Sequence, residues 1–220
     1  MKLITANLVE ELNQLTKPSE HISWITAFTM ESGVKEVLDS LKAAQANGAV
    51  IQILTGDYLY ITQPKALRLL LKELPNAEIR LFQARGKSFH PKAYLFRHPT
   101  TQHLIVGSSN LSKSALTTGV EWSLQTVDEP TFEHAMDEFT KLFYAEQTIS
   151  LNEYTLQAYE SHYRQVNEVM KLSTQWDQSE ETQIMFGGSE TSELIHEEQA
   201  ELQAFAPRPA QELALNALQE

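Results

Sequence analysis

The chain has 220 residues, 42% of them hydrophobic, which is enough for one well-cored domain with additional segments. It contains no cysteine, which excludes disulfides and thiolate metal sites, and no apolar run long enough to span a bilayer. With no basic–apolar leader at the start, these features predict a soluble, cytoplasmic protein, and a net charge of −12 taken as a total argues against a nucleic-acid partner.

In chain order, residues 1–150 read as alternating strands and helices. His21 to Thr29 alternates well enough for a strand. A helical pattern from Ser32 runs through Val34, Val37, Leu38 and Leu41 to a stop at Asn47-Gly48. Val50 to Leu54 is a short apolar strand closed by Thr55-Gly56-Asp57, and Pro64 to Glu73 carries Leu67, Leu70 and Leu71 at helical spacing. Four strand candidates follow: Glu78 to Gln83, Lys92 to Arg97, Leu104 to Val106 and Val120 to Thr126. A helix over about 130–145 places Phe132, Met136, Phe139 and Phe143 on one side, and another is expected over 151–172. Strands mixed with helices of these lengths predict an α/β sandwich with helices on both faces of the sheet. Between Lys171 and Arg208 there is no Lys or Arg, so 173–206 reads as an acidic linker.

The charge is unevenly distributed. Residues 1–150 hold 14 Lys+Arg against 16 Asp+Glu, a net of −2, and residues 151–220 hold 3 against 13, a net of −10. No acidic residue falls between Glu78 and Glu121, whereas Arg80, Arg85, Lys87, Lys92, Arg97 and Lys113 are basic, which makes this window a candidate anion site. At its centre stands Phe89-His90-Pro91-Lys92. If the strand opened at His90, the imidazole and ammonium would share a face and repel unless an anion lay between them. A polar turn around Pro99 and a second strand lead to Gly107-Ser108-Ser109-Asn110, with Glu121 eleven residues on. Hairpin pairing would return this segment to His90 and Lys92, because consecutive strands usually pair. The cluster suits phosphodiester chemistry without a divalent metal. Lys92, Ser108 and the Asn110 amide can hold phosphate oxygens, and His90 can attack phosphorus if a carboxylate holds its other ring nitrogen. Arg85, Lys87, Ser109 and Lys113 are candidate phosphate or DNA contacts. His98 and His103 with His90 would be a competing metal set, though nothing in their spacing favours it.

On these residues the sequence resembles the phospholipase D superfamily, whose motif is H-x-K, four residues, D, then G-S-x-N. His90, Lys92, Gly107, Ser108 and Asn110 match, and Arg97 stands where the family has Asp. The resemblance extends to a branch of metal-independent restriction nucleases, in which a downstream Glu supports the histidine, and to the phospholipase D-like domain at the N-terminus of certain bacterial helicases. It covers roughly residues 1–150 and implies a phospholipase D-like α/β/α sandwich with a mixed central sheet. It further implies a DNA phosphodiesterase with RNA as the alternative substrate, a phosphohistidine intermediate on His90, Glu121 orienting that histidine, and no cofactor. One H-x-K per chain implies a homodimer with a shared active site. Residues 206–214, with Gln211, resemble the adenine-reading segment ahead of the phosphate-binding loop of superfamily 2 helicases. Residues 207–220 would then begin an ATPase domain that this chain does not contain, so no ATP hydrolysis is expected. A catalytically silent DNA-binding and dimerisation module is the alternative.

Overall fold

A computed structural model describes residues 1–170 of the protein. The elements run β1 (Lys2–Ile4), α1 (Leu8–Thr16), β2 (His21–Thr26), α2 (Glu31–Ala46), β3 (Val50–Gly56), a 3-10 turn (Tyr58–Tyr60), α3 (Pro64–Glu73), β4 (Glu78–Phe82), β5 (Lys92–Arg97), β6 (Gln102–Gly107), α4 (Lys113–Leu116), β7 (Ser123–Thr126), α5 (Glu129–Phe143), β8 (Thr148–Ser150) and α6 (Glu153–Met170). The strands form one mixed sheet in the order β1-β7-β6-β5-β2-β3-β4-β8. β2, β3 and β4 are parallel and joined through helices, whereas β5, β6 and β7 form an antiparallel meander beside β2.

Helices cover both faces. α1, α2, α3, α4 and α6 bury one face, with Leu12, Val37, Leu41, Leu67 and Leu156 packed on Ile22, Trp24, Ile53, Tyr94 and Phe96. Among the described residues α5 alone covers the other: Phe139 and Phe143 meet Ile25 and Leu54, and Phe132 meets Leu95 and Leu104. This explains why β5 is apolar at consecutive positions instead of alternating, since a strand between two helical layers has no solvent face. Tyr94, Leu95 and Phe96 are all buried.

The termini of the long elements follow local chemistry. α2 stops where Gly48 takes a φ of 88° after Asn47. α5 begins with Asp128 as N-cap, accepting from the Thr131 N–H at 3.1 Å, with proline in the first turn. The expected β2 and β7 are shorter than their apolar patterns, ending at Thr26 and starting at Ser123. In both cases the chain leaves the sheet to build the edge described below. β1, α1, α4 and β8 have no counterpart among the elements expected from the sequence. β1 and β8 are three-residue outer strands, too short for a periodic signal, and α1 starts from an Asn7 in the left-handed region with no side-chain cap. The linker expected over 173–206 and the segment 207–220, including Gln211, lie outside the described residues.

α2 sits very close to the backbone after β6. A Cβ on Gly33 would lie 2.2 Å from the Leu111 carbonyl oxygen, and Met30 N–H donates to that same oxygen at 2.9 Å. Alanine normally favours a helix over glycine by about 1 kcal/mol. Here the clash is with backbone, so overpacking of about 1–3 kcal/mol wins. Gly33→Ala is expected to lower the urea midpoint of unfolding, a sign opposite to the helix-propensity expectation.

Candidate active site

The sheet order brings the chemistry-bearing residues to one edge. The C-terminal ends of β2, β3, β4 and β6 and the N-terminal starts of β5 and β7 all lie there, with Thr26 opposite Lys92, Thr26 opposite Thr55, and Gly107 opposite Ser123. Ligand sites of open α/β sheets form at such an edge, beyond the ends of the central parallel strands.

His90 is not on the strand. It precedes β5, which begins at Lys92, so the two side chains do not stand in parallel on one strand face as expected from the sequence. The Lys92 side chain is buried and folds back, with Nζ 2.5 Å from His90 Nδ1 and 3.1 Å from the His90 carbonyl oxygen, to which it donates. No anion is required between them, because a neutral imidazole accepts a hydrogen bond from an ammonium. Partial desolvation of the ring by the surrounding loop, and secondly the Lys92 charge, hold the His90 imidazole below its ordinary pKa even though the residue is exposed overall. His90 itself is exposed, and its neighbour Phe89 anchors the loop by stacking on Phe82 with centroids 4.2 Å apart and by filling the space above Gly56.

The hairpin returns the second motif as expected. Gly107 is required by close approach: a Cβ there would lie 2.2 Å from Ser123 Oγ and 2.4 Å from the Trp122 carbonyl oxygen. Ser108 is exposed, its Oγ donates to the Glu121 carboxylate, and the Trp122 N–H donates back to that Oγ at 3.1 Å. Glu121 therefore contacts Ser108 in this structure. Asn110 is buried, with Oδ1 accepting from the Phe28 N–H at 3.3 Å, which ties the motif to the end of β2. Ser109, expected among the phosphate contacts, is only 1% exposed: its carbonyl accepts from Tyr94 Oη at 3.0 Å and its hydroxyl is buried without a partner. The alternation of the extended chain turns Ser108 outward and Ser109 inward.

Arg85 and Lys87 are both exposed on the loop before His90, where Lys87 N–H donates to the Ala84 carbonyl at 2.8 Å. Arg85 and Gly86 both have positive φ (48° and 81°), as a I′-type turn demands. Lys113 is exposed and pairs with Glu36 at 3.6 Å. Arg97 lies at the opposite end of β5, five residue steps or roughly 17 Å from Lys92. There it pairs with Glu133 at 2.9 Å and covers the Phe132 ring. The departure from the family Asp therefore falls outside the cluster. His98 and His103 lie at that same far end, with ring centroids 4.7 Å apart, and do not join His90. Among the described residues no group of three or more His, Asp or Glu is arranged to hold a metal ion.

Sequence reasoning missed the support beneath Lys92. Thr26, Thr29, Thr55 and Thr62 are all buried and linked hydroxyl to hydroxyl at 3.0–3.3 Å, ending in a 2.6 Å bond from Thr62 Oγ1 to the Gly56 carbonyl. The only signal in the sequence is Thr26 and Thr55 at the ends of two strands, which also fits ordinary strand composition, while Thr29 and Thr62 stand in connecting segments.

The family described as "Cardiolipin synthase, PLD-like domain" matches residues 12–143. Among curated proteins no relative matches significantly. Similar solved structures include NucT from Helicobacter pylori, 16% identical with a TM-score of 0.55 over 68% of this chain and 98% of that one. Nuc from Salmonella typhimurium, a phospholipase D family member, is 15% identical with a TM-score of 0.52 over 66% and 90%. Phosphatidylserine synthase from Haemophilus influenzae Rd KW20 is 14% identical with a TM-score of 0.59 over 77% and 43%. At these identities the likeness is one of fold.

The His90 imidazole is expected to titrate below its ordinary value, followed by its Cε1–H shift in NMR. Lys92→Met should raise that pKa, since one of the two depressing causes is removed, yet leave it below the ordinary value because the partial desolvation remains. A wild-type His90 titrating at or above the free-imidazole value would contradict this electrostatic picture.

Proposed function

Because this chain belongs to the phospholipase D-like domain family, we propose that it is a metal-independent phosphodiesterase acting on DNA through a phosphohistidine intermediate. The observation that carries this reading is the buried Lys92 ammonium set against an exposed His90 whose pKa is depressed. A neutral imidazole has one lone pair, which becomes free for phosphorus when the Lys92 ammonium moves from the ring nitrogen to the phosphoryl oxygens, where it stabilises the charge gathering on them. The His90 ring nitrogen bonds to phosphorus as the ester P–O bond breaks, and the leaving oxygen takes a proton from a second imidazolium. That second imidazole then takes a proton from water, whose oxygen attacks phosphorus and breaks the P–N bond.

In this reading Lys92, Asn110 and Ser108 hold the phosphate. Ser108 exchanges its bond to Glu121 for a phosphate oxygen, which frees Glu121 to orient His90. Arg85, Lys87 and Lys113, all exposed, extend the contact along the nucleic-acid backbone. The setting we infer from the resemblance of residues 206–214 is the front of a helicase.

The second imidazole comes from a second copy. Leu3, Leu124 and Val106 lie side by side across β1, β7 and β6 and are 54%, 45% and 47% exposed. They continue the sheet face that α5 covers further along, and Trp122 and Val120 beside them are also exposed. An apolar strip of this kind next to a half-complete site supports a self-complementary interface, which would bring the partner subunit's His90 to the axis.

Labelled DNA is expected to be cut in EDTA by the wild-type chain and not by His90→Ala. Binding without cutting by both proteins would replace this reading with the silent binding module. Light scattering should give twice the 24.9 kDa chain mass. Leu124→Asp should halve that mass and abolish cleavage together, since one chain supplies one H-x-K.

A further inference from the structure

A second cleft opens at the same sheet edge, between the 3-10 turn and α6. Its volume is about 190 Å³ and it is lined by Asp57, Tyr60, Gln83, Tyr154, Tyr159 and His162, among others. Its α6 residues lie beyond the span that matches the family, residues 12–143.

The cleft has a rigid aromatic floor. Tyr60 and Tyr159 stack with centroids 5.9 Å apart and planes inclined by 13°. Tyr159 is buried, and its hydroxyl donates to the Thr62 carbonyl at 2.6 Å, which locks the ring in place. Tyr60 is delivered by a strained backbone: Leu59 and Tyr60 are consecutive non-glycine residues with φ of 55° and 52°. Such a conformation is costly and persists only where the surroundings over-determine it. At the rim Tyr154 is 81% exposed, offering a third ring. Asp57 supplies a polar acceptor: one carboxylate oxygen takes the Ala84 N–H at 2.7 Å.

The cleft is mechanically continuous with the active site. Asp57 N–H donates to the Phe82 carbonyl at 3.0 Å, Phe82 stacks on Phe89, and Phe89 immediately precedes His90. Arg85, which donates to the Gln83 amide oxygen at 3.2 Å, stands in the loop that joins the two. A polymer whose phosphodiester lies at His90 thus has a cation beside its path and aromatic rings at its flank. Aromatic faces in a groove next to a backbone-binding site take unstacked bases, which a single strand offers and a duplex withholds.

We propose that the cleft between Tyr60 and α6 binds an unpaired nucleobase of a single-stranded nucleic acid whose backbone runs on to His90. The base lies against the tyrosine rings, and Asp57 accepts from the exocyclic amino group of cytosine, adenine or guanine. The course of the backbone rests on the nuclease reading above; the base site itself does not.

The test compares a fluorescent dC 12-mer with a 12-mer of abasic residues, which has the same phosphates and no bases, by anisotropy with the full chain carrying His90→Ala. The dC oligomer should bind at least about fivefold more tightly, the low end of what one base–aromatic stack contributes. Adding Tyr154→Ala or His162→Ala, surface changes whose folding is checked by circular dichroism, should narrow that gap and leave abasic binding as it was. Equal affinity for the two oligomers, including no measurable binding of either, would overturn the proposal, as would a gap that both cleft variants preserve. The nuclease reading fails separately: a wild-type chain that cuts nothing yet keeps a Tyr154-dependent gap retains the base site, and one that cuts DNA but binds both oligomers equally does not.

Discussion

A buried ammonium group must be met by acceptors, and that requirement organises the rest of this molecule. Lys92 enters the sheet at the start of β5, in register with Thr26, and its Nζ folds back onto the imidazole and carbonyl of His90. To serve as an acceptor the imidazole has to be neutral, and partial desolvation together with the adjacent charge favours that form by lowering its pKa. One contact therefore satisfies a structural need and favours the protonation state that the proposed nucleophilic role of His90 requires.

Holding that contact in place takes close backbone packing around the edge. Gly33, Gly56 and Gly107 each stand where a Cβ would collide, with the Leu111 backbone, the Phe89 ring and the Ser123 and Trp122 atoms respectively. Together they let α2, the His90 loop and the start of β7 close around the ends of the strands. The threonine chain below, from Thr26 to Thr62, satisfies the polar groups that such convergence leaves away from water. The edge thus resembles a preorganised site, in which side chains are held by neighbours that are themselves locked.

The tight packing has a counterpart in what the domain leaves uncovered. α5 is a single helix on a face of eight strands, so it cannot reach β1, β7 and the end of β6, and apolar side chains remain outside it there. On the opposite flank β8 and α6 extend the domain and wall off the tyrosine cleft. The proposed active-site edge lies between the exposed apolar strip on one flank and the tyrosine cleft on the other.

The sequence by itself determined the layers and the motif. Helical spacing placed α2, α3 and α5, β5 began and ended where its pattern did, and His90, Lys92, Ser108, Asn110 and Glu121 stood out by residue type and interval. Local periodicity and residue chemistry are properties of short windows, so they survive without a fold. Only the tertiary structure decided that His90 stands off the strand, that Lys92 turns back onto it, that Ser109 faces inward and that Arg97 lies a strand's length away. It alone assembled the threonine chain and the cleft from residues as far apart as Asp57 and His162. Those outcomes depend on which strands pair and which backbones touch, interactions between segments distant in the chain that no local window contains.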